Sequence, residues 1–448
     1  MKPFRSRSWI PLVLCAAAVS PAIPAGATNL NLGADYMVRG VGIKERDSTF
    51  PGDHYYDQRL QGYMIADLSE DVEATVRVQS ITPWGLESST TPLITRYPNA
   101  NGGLWLQNAF IRLPKIYQDK AVLTIGRQPI QWGDGLILGD DELGFNAIRL
   151  QLKSPWEQLG ADLDVFTAKI SEGLQTSQDT NLSGALLGID RDLVRWELMG
   201  LFENSNNLQN YEAGSDTTTT VATKIDRKIF GARIRTTVKD AYIRAEYYIQ
   251  NGSVRRLPPS QDIKLGGSAY SIGLGAKANT ERYGRFGAVG EYSESSGDDP
   301  NTQGQDEAFR PTFASRWSGL ERKGWGRYFA ATLADAYSPT SPFAPASSTN
   351  TGLPPGESGI QSIHIGIEAT PWAKWTFTVD YYQYKANKSV TGPKDLGTEF
   401  DYGVVFRYSG LVYFRGSTNL FTPGTAYQFA STTTQKASES DIQASLKF

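Results

Sequence analysis

Arginines are the residues of this 448-residue sequence best suited to binding a ligand. Four of them, Arg77, Arg112, Arg127 and Arg149, fall in four successive stretches that resemble β-strands. A guanidinium group attracts carboxylates and phosphates, and rings or walls of arginine select anions in a narrow pore. If the four side chains reach one height in a sheet, they form a basic wall. The alternative is that each arginine pairs with an acid and only stiffens the protein.

Motifs for enzyme chemistry are scarce. His54 and His364 are the only histidines, and no G-x-S-x-G motif accompanies them, which disfavours a serine hydrolase. His364 shares a predicted strand face with Glu368, where a polar role without catalysis is the simpler interpretation. Residues 126–128 (GRQ) and 133–135 (GDG) fit neither phosphate-binding nor dinucleotide spacing, and no helix follows them. We therefore expect no enzymatic activity and no cofactor.

One acidic stretch has the oxygen ligands that Ca²⁺ prefers. It runs over 296–301 (SGDDPN), with Asp306 and Glu307 close by. Asp298 and Asp299 are the candidate ligands. The order of residues does not match an EF-hand, so an ordinary acidic surface loop is the alternative.

The elements that carry these charges alternate with period two, as half-buried strands do. In 192–202, Trp196 and Leu198 fall on one face, and Arg195 and Glu197 fall on the other. A wide transmembrane barrel accommodates this pattern, because its lumen is wet and its outer face contacts lipid. The sequence therefore predicts an all-β protein, a transmembrane antiparallel β-barrel of the bacterial outer-membrane type.

Strand parity identifies the charged side chains that face inward. The predicted pore-lining or substrate-contacting residues are Arg77, Arg112, Arg127, Arg149, Asp162, Asp164, Arg195, Arg407 and Arg415. Other predicted inward charges include Arg59, Arg233, Arg235, Arg244, Glu73, Glu197, Glu246, Glu291, Glu368, Asp380, Glu399 and Asp401. Arg127 fits least well, because simple alternation puts it on the lipid face. Either Gly126 permits a bulge that turns it inward, or it lies above the bilayer at the strand end.

Short and long connections alternate along the chain, as periplasmic turns and extracellular loops do in such barrels. We count about eighteen strands, and both termini in the periplasm require an even number. A strand-like stretch at 325–335 would break the alternation, so we assign it to a long extracellular excursion over 295–359. A hairpin there would give about twenty strands, and about sixteen is a further alternative.

Composition and chain ends agree with a membrane barrel. The 22 Tyr, 19 Phe and 10 Trp fit aromatic girdles, and a net charge of -3 indicates no nucleic-acid partner. Residues 1–27 are predicted to be a signal peptide, because a basic start, a short apolar run and an A-x-A site follow one another. It contains the one cysteine, Cys15, and Leu14 before it disfavours a lipoprotein. We expect one barrel domain over 28–448, ending at Phe448 as outer-membrane strands commonly do.

Several motifs resemble those of the alginate-export family of outer-membrane proteins. In the N-terminal half they are 106–113 (LQNAFIRL), 123–128 (LTIGRQ) and 145–150 (FNAIRL). In the C-terminal half they are 296–300 (SGDDP), 396–401 (LGTEFD) and 421–427 (FTPGTAY). The resemblance covers about 100 to 448 and departs from the family pattern around 310–355. It implies a monomeric barrel of eighteen strands whose arginine-lined constriction exports an anionic polysaccharide.

The function expected first is therefore a pore for anionic saccharides in the outer membrane of a Gram-negative bacterium. Lumen aromatics that could stack on sugars, or equally pack, are Tyr242, Tyr248, Tyr382 and Tyr413. A general or small-anion porin is the alternative, and an outer-membrane hydrolase or adhesin is less favoured. The expected partners are outer-membrane lipid and lipopolysaccharide, with an anionic saccharide or small anions as cargo. A periplasmic secretion partner is compatible with export.

Overall fold

A computed structural model describes most of the chain. The described residues are 29–44, 53–84, 103–117, 119–156, 160–172, 179–206, 222–256, 261–299, 301–302, 304–330, 332, 353–354, 356–389, 392–427 and 436–448. The predicted signal peptide lies outside them. No helix among these residues is long and apolar enough to cross a membrane.

In this part of the chain, eighteen long strands form one closed antiparallel barrel. The strands are β1 Asn29–Lys44, β2 Asp53–Ser69, β3 Val72–Pro83, β4 Trp105–Ile116, β5 Ala121–Gln128, β6 Phe145–Trp156, β7 Ala161–Ser171, β8 Thr180–Arg191, β9 Val194–Ser205, β10 Ala222–Val238, β11 Ala241–Arg256, β12 Ser268–Thr280, β13 Gly284–Ser295, β14 Glu357–Trp372, β15 Trp375–Ser389, β16 Asp395–Arg407, β17 Val412–Pro423 and β18 Ala437–Lys447. The predicted fold class and the count of eighteen are confirmed.

The first and last strands close the barrel. β1 pairs with β18 from Asp35 opposite Lys447 to Lys44 opposite Ser438. Ala34 and Phe448 exchange both backbone hydrogen bonds, at 2.7 and 2.9 Å. An antiparallel barrel closes without a parallel seam only when the strand number is even, so eighteen strands leave no unpaired edge.

The two faces of each strand differ as the alternation predicted. On β9, the Trp196 and Leu198 side chains are 45% and 52% exposed on the outer surface. Their neighbours Glu197 and Met199 are buried inside. An outer belt of large apolar side chains, on strands whose backbones pair around a closed barrel, belongs in hydrocarbon and not in water. The chain is therefore an outer-membrane barrel.

Two connections on the long-loop side fold back into the lumen. They are the 129–144 loop, between β5 and β6, and the 304–330 segment, between β13 and β14. The apolar core of the molecule lies where they pack on the wall, around fully buried Ile137, Leu138 and Phe309. The structure thus corrects the predicted extracellular excursion over 295–359, because residues 304–330 lie inside the barrel. The strand-like residues 325–330 form no barrel strand.

Candidate functional site

The 129–144 loop and the 304–330 segment are joined to each other inside the lumen. The Gly139 N–H donates to the Phe313 carbonyl at 2.8 Å, and the Ser315 N–H donates to the Gly135 carbonyl at 2.7 Å. The Asp141 carboxylate accepts the backbone N–H of Arg316 at 2.6 Å. The two elements therefore act as one body across the lumen and narrow it.

We call the contact between the 129–144 loop and the 304–330 segment the joint. Two of its acids, Asp140 and Asp141, are largely shielded from water. Burial raises the pKa of Asp140 to about 6, although the Gly144 N–H donates to its carboxylate. Burial also raises the pKa of Asp141, against the hydrogen bonds from Trp317 and Arg316. A desolvated carboxylate favours its neutral form, so the charge of the joint depends on pH.

The 304–330 segment is fixed to the wall at β16. The Glu399 carboxylate accepts the backbone N–H groups of Arg327, Tyr328 and Phe329 at 2.8, 2.7 and 3.0 Å. The Phe329 ring stacks on Tyr384 of β15 with centroids 4.4 Å apart. A buried carboxylate saturated by backbone donors, beside stacked rings, holds the segment firmly.

A second contact, made by Glu321 with two arginines, fixes the same segment to β17. Glu321 forms ion pairs with Arg327 of the segment, at 3.0 Å, and with Arg415 of the wall. Burial alone would raise the pKa of Glu321, but the two guanidinium groups outweigh it and lower the pKa to about 2. Glu321 is thus a charged link between the segment and the wall. Arg415, a predicted pore-lining residue, is occupied by this link.

The predicted basic wall on β3 to β6 is not level. Arg112 lies opposite Thr124, and Thr124 lies opposite Arg149, so these two arginines share one height. Glu73 of β3 lies opposite Arg112. Arg77 lies four residues further along β3 toward the extracellular side, so it is about 13 Å higher than Arg112 along the barrel. The structure therefore brings Arg112 and Arg149 to one level and leaves Arg77 nearer the extracellular side.

Most of the predicted site residues are paired with a neighbour. Arg112 contacts Glu73 at 3.5 Å, and Arg149 grips Asp164 through two hydrogen bonds of 2.8 and 2.6 Å. Arg77 lies over the Tyr63 ring, 5.6 Å from its centroid. These contacts fit the alternative in which an arginine stiffens the lumen wall.

The remaining candidates lie nearer the barrel ends. Arg127 donates from Nε to the Gln107 carbonyl at 3.3 Å and lines a cavity of about 240 Å³ beside Arg316. Gly126 has a φ of 122°, but β5 keeps its register with β4 and β6 through Gly126 and Arg127, so the structure shows no bulge there. Arg127 lies at the strand end. Arg407 donates to the Thr376 hydroxyl at 2.9 Å near the periplasmic rim.

A stronger cationic feature lies on β9 to β11, and we call it the arginine row. Arg235 is directly opposite Arg195 on one side and Arg244 on the other. Like charges directly opposite in a sheet destabilise it. Arg195 is compensated by Asp162 at 3.0 Å and by two further acids. In the described part of the chain, the side chain of the central Arg235 has no hydrogen bond or ion pair.

The sequence placed Arg235 and Arg244 inside the barrel but did not single them out. The sequence does contain a pattern that predicts their pairing, because the two residues lie equally far from the tight turn at 239–240. Hairpin register then places them opposite each other. The pairing of Arg235 with Arg195 spans the long connection after β9, so sequence alone does not set it.

A cavity of about 370 Å³ opens beside the arginine row on the periplasmic side of the 129–144 loop. Its charged lining residues are Arg233, Arg235, Arg244, Lys239, Lys277, Asp134 and Asp240. The lining itself is positive, with five cations against two acids, and Glu197 and Glu291 outside the lining pair with Arg233 and Arg244. Because turn residues 239–240 line it, the cavity lies at the periplasmic mouth of the pore.

The His364 side chain is held by contacts with two neighbouring side chains of the barrel wall. Its Nε2 lies 2.8 Å from Asp380 Oδ1, and its ring stacks on Tyr382 with centroids 4.4 Å apart. The buried Ser362 hydroxyl on the same strand makes no hydrogen bond. The histidine therefore does not activate that hydroxyl in this geometry.

The candidate calcium ligands are used by their own loop. Asp298 accepts the Glu307 N–H at 3.3 Å, and Asp299 accepts the Asn301 N–H at 3.0 Å and contacts Lys388 at 3.2 Å. Within the described residues, no group of three or more Asp, Glu, His or Cys side chains is placed to hold a metal ion. Calcium binding by Asp298 and Asp299 stays a prediction.

The lumen aromatics divide into two classes. Tyr248 is fully buried against Phe309, and Tyr382 is buried against His364, so neither presents an open ring face. Tyr242 lines the cavity beside the arginine row. Of these three rings, Tyr242 is therefore the one placed to meet a solute.

Comparison with solved structures places the fold among outer-membrane porins. The chain is similar to OccAB1 of Acinetobacter baumannii, with 10% identity, a TM-score of 0.53, and coverage of 95% of this chain and 99% of that one. It is also similar to a BenF-like porin from Pseudomonas fluorescens Pf-5, with 8% identity, a TM-score of 0.55, and coverage of 94% and 100%.

A third similar structure is Pseudomonas aeruginosa OpdK with vanillate, at 10% identity, a TM-score of 0.51, and coverage of 93% and 98%. No family model and no curated protein sequence matches the chain. The shared feature is thus the fold, and the resemblance to the alginate-export family stays a prediction.

Proposed function

We propose that this chain is a passive porin that favours small anionic solutes, acidic sugars among them, over cations. The observation that carries the proposal is the arginine row, with Arg235 unpaired beside a positive cavity at the periplasmic mouth. Acids compensate the two outer arginines of the row, Arg195 and Arg244, so Arg235 is the cation whose charge a bound anion would offset. The similarity to OpdK concerns the fold, so the anion preference depends on these residues alone.

The joined loops favour small solutes over a polymer. Their contacts reach β2 through the Arg59–Glu142 pair at 2.6 Å, β7 through the Trp132–Asp164 hydrogen bond at 3.2 Å, and β16 through Glu399. A polysaccharide chain would have to pass a lumen crossed by this body. We therefore favour the small-anion porin over the alginate-like exporter, and we propose that the barrel works as a monomer.

Ion selectivity in planar bilayers tests the proposal. With a salt gradient across the membrane, the reversal potential of the wild-type pore should show anion preference. Arg235→Gln should reduce that preference, whereas Arg407→Gln, on a wall away from the row, should change it far less. A cation-selective wild-type pore, or equal effects of both variants, would contradict the proposal.

Cargo size needs a separate measurement. Proteoliposomes should take up a uronic acid monomer and exclude its long polymer, because the joined loops cross the lumen. Uptake of the polymer at a comparable rate would favour the exporter instead.

A further inference from the structure

The 129–144 loop presents one carboxylate to the arginine row through the Gly133-Asp134-Gly135 turn. Gly133 and Gly135 have φ angles of 55° and 83°, in the left-handed region that glycine tolerates best. The two glycines turn the chain sharply, and Asp134 at the tip reaches the opposite wall of the lumen. The spacing of these glycines does not match a phosphate-binding loop, so the turn serves to place the Asp134 side chain.

The Asp134 carboxylate bridges two strands of the wall. Its Oδ1 lies 3.1 Å from Arg233 Nη2 on β10, and its Oδ2 lies 2.7 Å from Arg244 Nη1 on β11. A small carboxylate from solution would use its two oxygens in the same manner. Asp134 thus has the geometry of a bound anion at the edge of the positive cavity.

Neither arginine depends on Asp134 for its charge compensation. Arg233 also pairs with Glu197 at 3.2 Å, and Arg244 also pairs with Glu291. Asp134 is 38% exposed, so water weakens its two ion pairs. A contact that is redundant and solvent-screened can be exchanged for a similar contact with a solute.

The loop does not depend on Asp134 for its position either. Trp132 donates to Asp164 at 3.2 Å, Glu142 pairs with Arg59 at 2.6 Å, and Gly135 accepts the Ser315 N–H at 2.7 Å. These contacts reach other strands and the 304–330 segment. The loop can therefore stay in place while Asp134 leaves its arginines.

We propose that Asp134 is a built-in competitor, a tethered carboxylate that a passing anion displaces from Arg233 and Arg244. This inference rests on the proposed anion preference and adds a residue that sets its strength. Tethering keeps the effective concentration of the internal carboxylate high, so solute anions bind weakly and leave quickly. Conduction requires such weak binding.

The charge-neutral variant Asp134→Asn tests this role, with Glu142→Gln as the matched control from the same loop. The measured quantity is the benzoate concentration that half-blocks the chloride current in planar bilayers. Asp134→Asn should lower it by roughly 3- to 10-fold, the factor expected when two screened ion pairs stop competing. Glu142→Gln should leave it nearly unchanged. Equal effects of the two variants would mean that loosening of the loop is the cause.

Restoring the charge separates competition from shape. The one cysteine of the sequence is Cys15, within the predicted signal peptide, so Asp134→Cys supplies a single reactive thiol in the processed chain. A sulfonate-bearing thiol reagent should return benzoate block toward the wild-type value, and a neutral reagent of similar size should not. The same result with both reagents would overturn the inference. A wild-type pore without anion preference would refute the proposed function, whereas an anion-selective wild type with unchanged Asp134→Asn would refute only this inference.

Discussion

The Glu399 carboxylate accepts the backbone N–H of Phe329 at 3.0 Å, and this contact links an in-folded segment to the barrel wall. Glu399 is fully buried and takes two more backbone hydrogen bonds from the same segment. Backbone amides donate whatever the side chain of their residue is. The anchor therefore depends on the wall acid more than on the sequence of the segment.

Removal of this acid should free the segment. Glu399→Ala leaves the buried N–H groups of Tyr328 and Phe329 without an acceptor, and each costs about 1–3 kcal/mol. The Arg327 N–H keeps a second acceptor, the Asp401 carboxylate at 2.9 Å. The segment should then leave the wall, and single-channel conductance in planar bilayers should rise and become noisier. Glu368→Gln, which changes an acid paired with Arg285 away from the segment, should leave conductance unchanged. Identical wild-type and Glu399→Ala conductance would show that the segment does not limit the pore.

The joint between the two in-folded elements can be tested by sterics alone. A methyl group at Gly139 would lie 2.5 Å from Ser315 Cβ, which is far too close, while the backbone at Gly139 accepts alanine. Gly139→Ala should therefore cost about 1–3 kcal/mol and separate the two elements. Amide hydrogen exchange across 129–144 and 304–330 should become faster.

Two further variants check that explanation. Gly139→Ala combined with Ser315→Gly removes the collision and should recover part of the protection. Gly290→Ala adds a methyl group with no heavy atom within 4 Å and should behave as the wild type. No recovery in the double variant would point to a cause other than this collision.

Asp140 should make the 129–144 loop more stable in acid. Its pKa is raised from 3.8 to about 6, so its stabilising contribution is full below about pH 4 and is lost as the pH rises through 6. The loss by pH 8 amounts to about 1–3 kcal/mol of local stability. Hydrogen exchange in the loop, corrected for intrinsic rates, should be slower at pH 5 than at pH 8.

The neutral variant Asp140→Asn should remove most of this dependence. It should keep the loop protected at pH 8, because the amide resembles the protonated acid and still accepts the Gly144 N–H. Glu142→Gln should retain the pH dependence of the wild type. If Asp140→Asn retained it as well, another group would be responsible.

Period-two alternation and turn lengths predicted the barrel because both are local properties. Whether Trp196 faces lipid and Glu197 faces the lumen depends on neighbouring residues in one strand. The 304–330 segment was harder to place, because its partners are distant in sequence. Glu321 pairs with Arg415, and Thr312 hydrogen-bonds to Glu203 at 2.8 Å. No periodicity within the segment encodes these contacts.

The site was predicted in part for the same reason. Inward orientation of Arg77, Arg112 and Arg149 follows from parity, but their heights depend on bulges, such as the register shift between Leu113 and Ile116, beside Arg112 on β4. Salt-bridge partners such as Asp164 for Arg149 require register and side-chain geometry together. Of the arginine row, sequence could predict only the pairing of Arg235 with Arg244, because one short hairpin turn joins their strands.

Glu321 should respond to acid in the direction opposite to Asp140. Its pKa is lowered from 4.5 to about 2, so its stabilising contribution is full above about pH 4.5 and is lost as the pH falls through 2. The wild-type 304–330 segment should therefore stay docked at pH 4, where the 129–144 loop is also well protected. Glu321→Gln removes the link between Arg327 and Arg415 and should weaken docking by about 1–3 kcal/mol at pH 7. Hydrogen exchange in 304–330 should then rise at pH 7 in Glu321→Gln and stay at the wild-type level in Glu368→Gln. Unchanged exchange in Glu321→Gln would mean that the other contacts of the segment, the Glu399 anchor among them, hold it without this link.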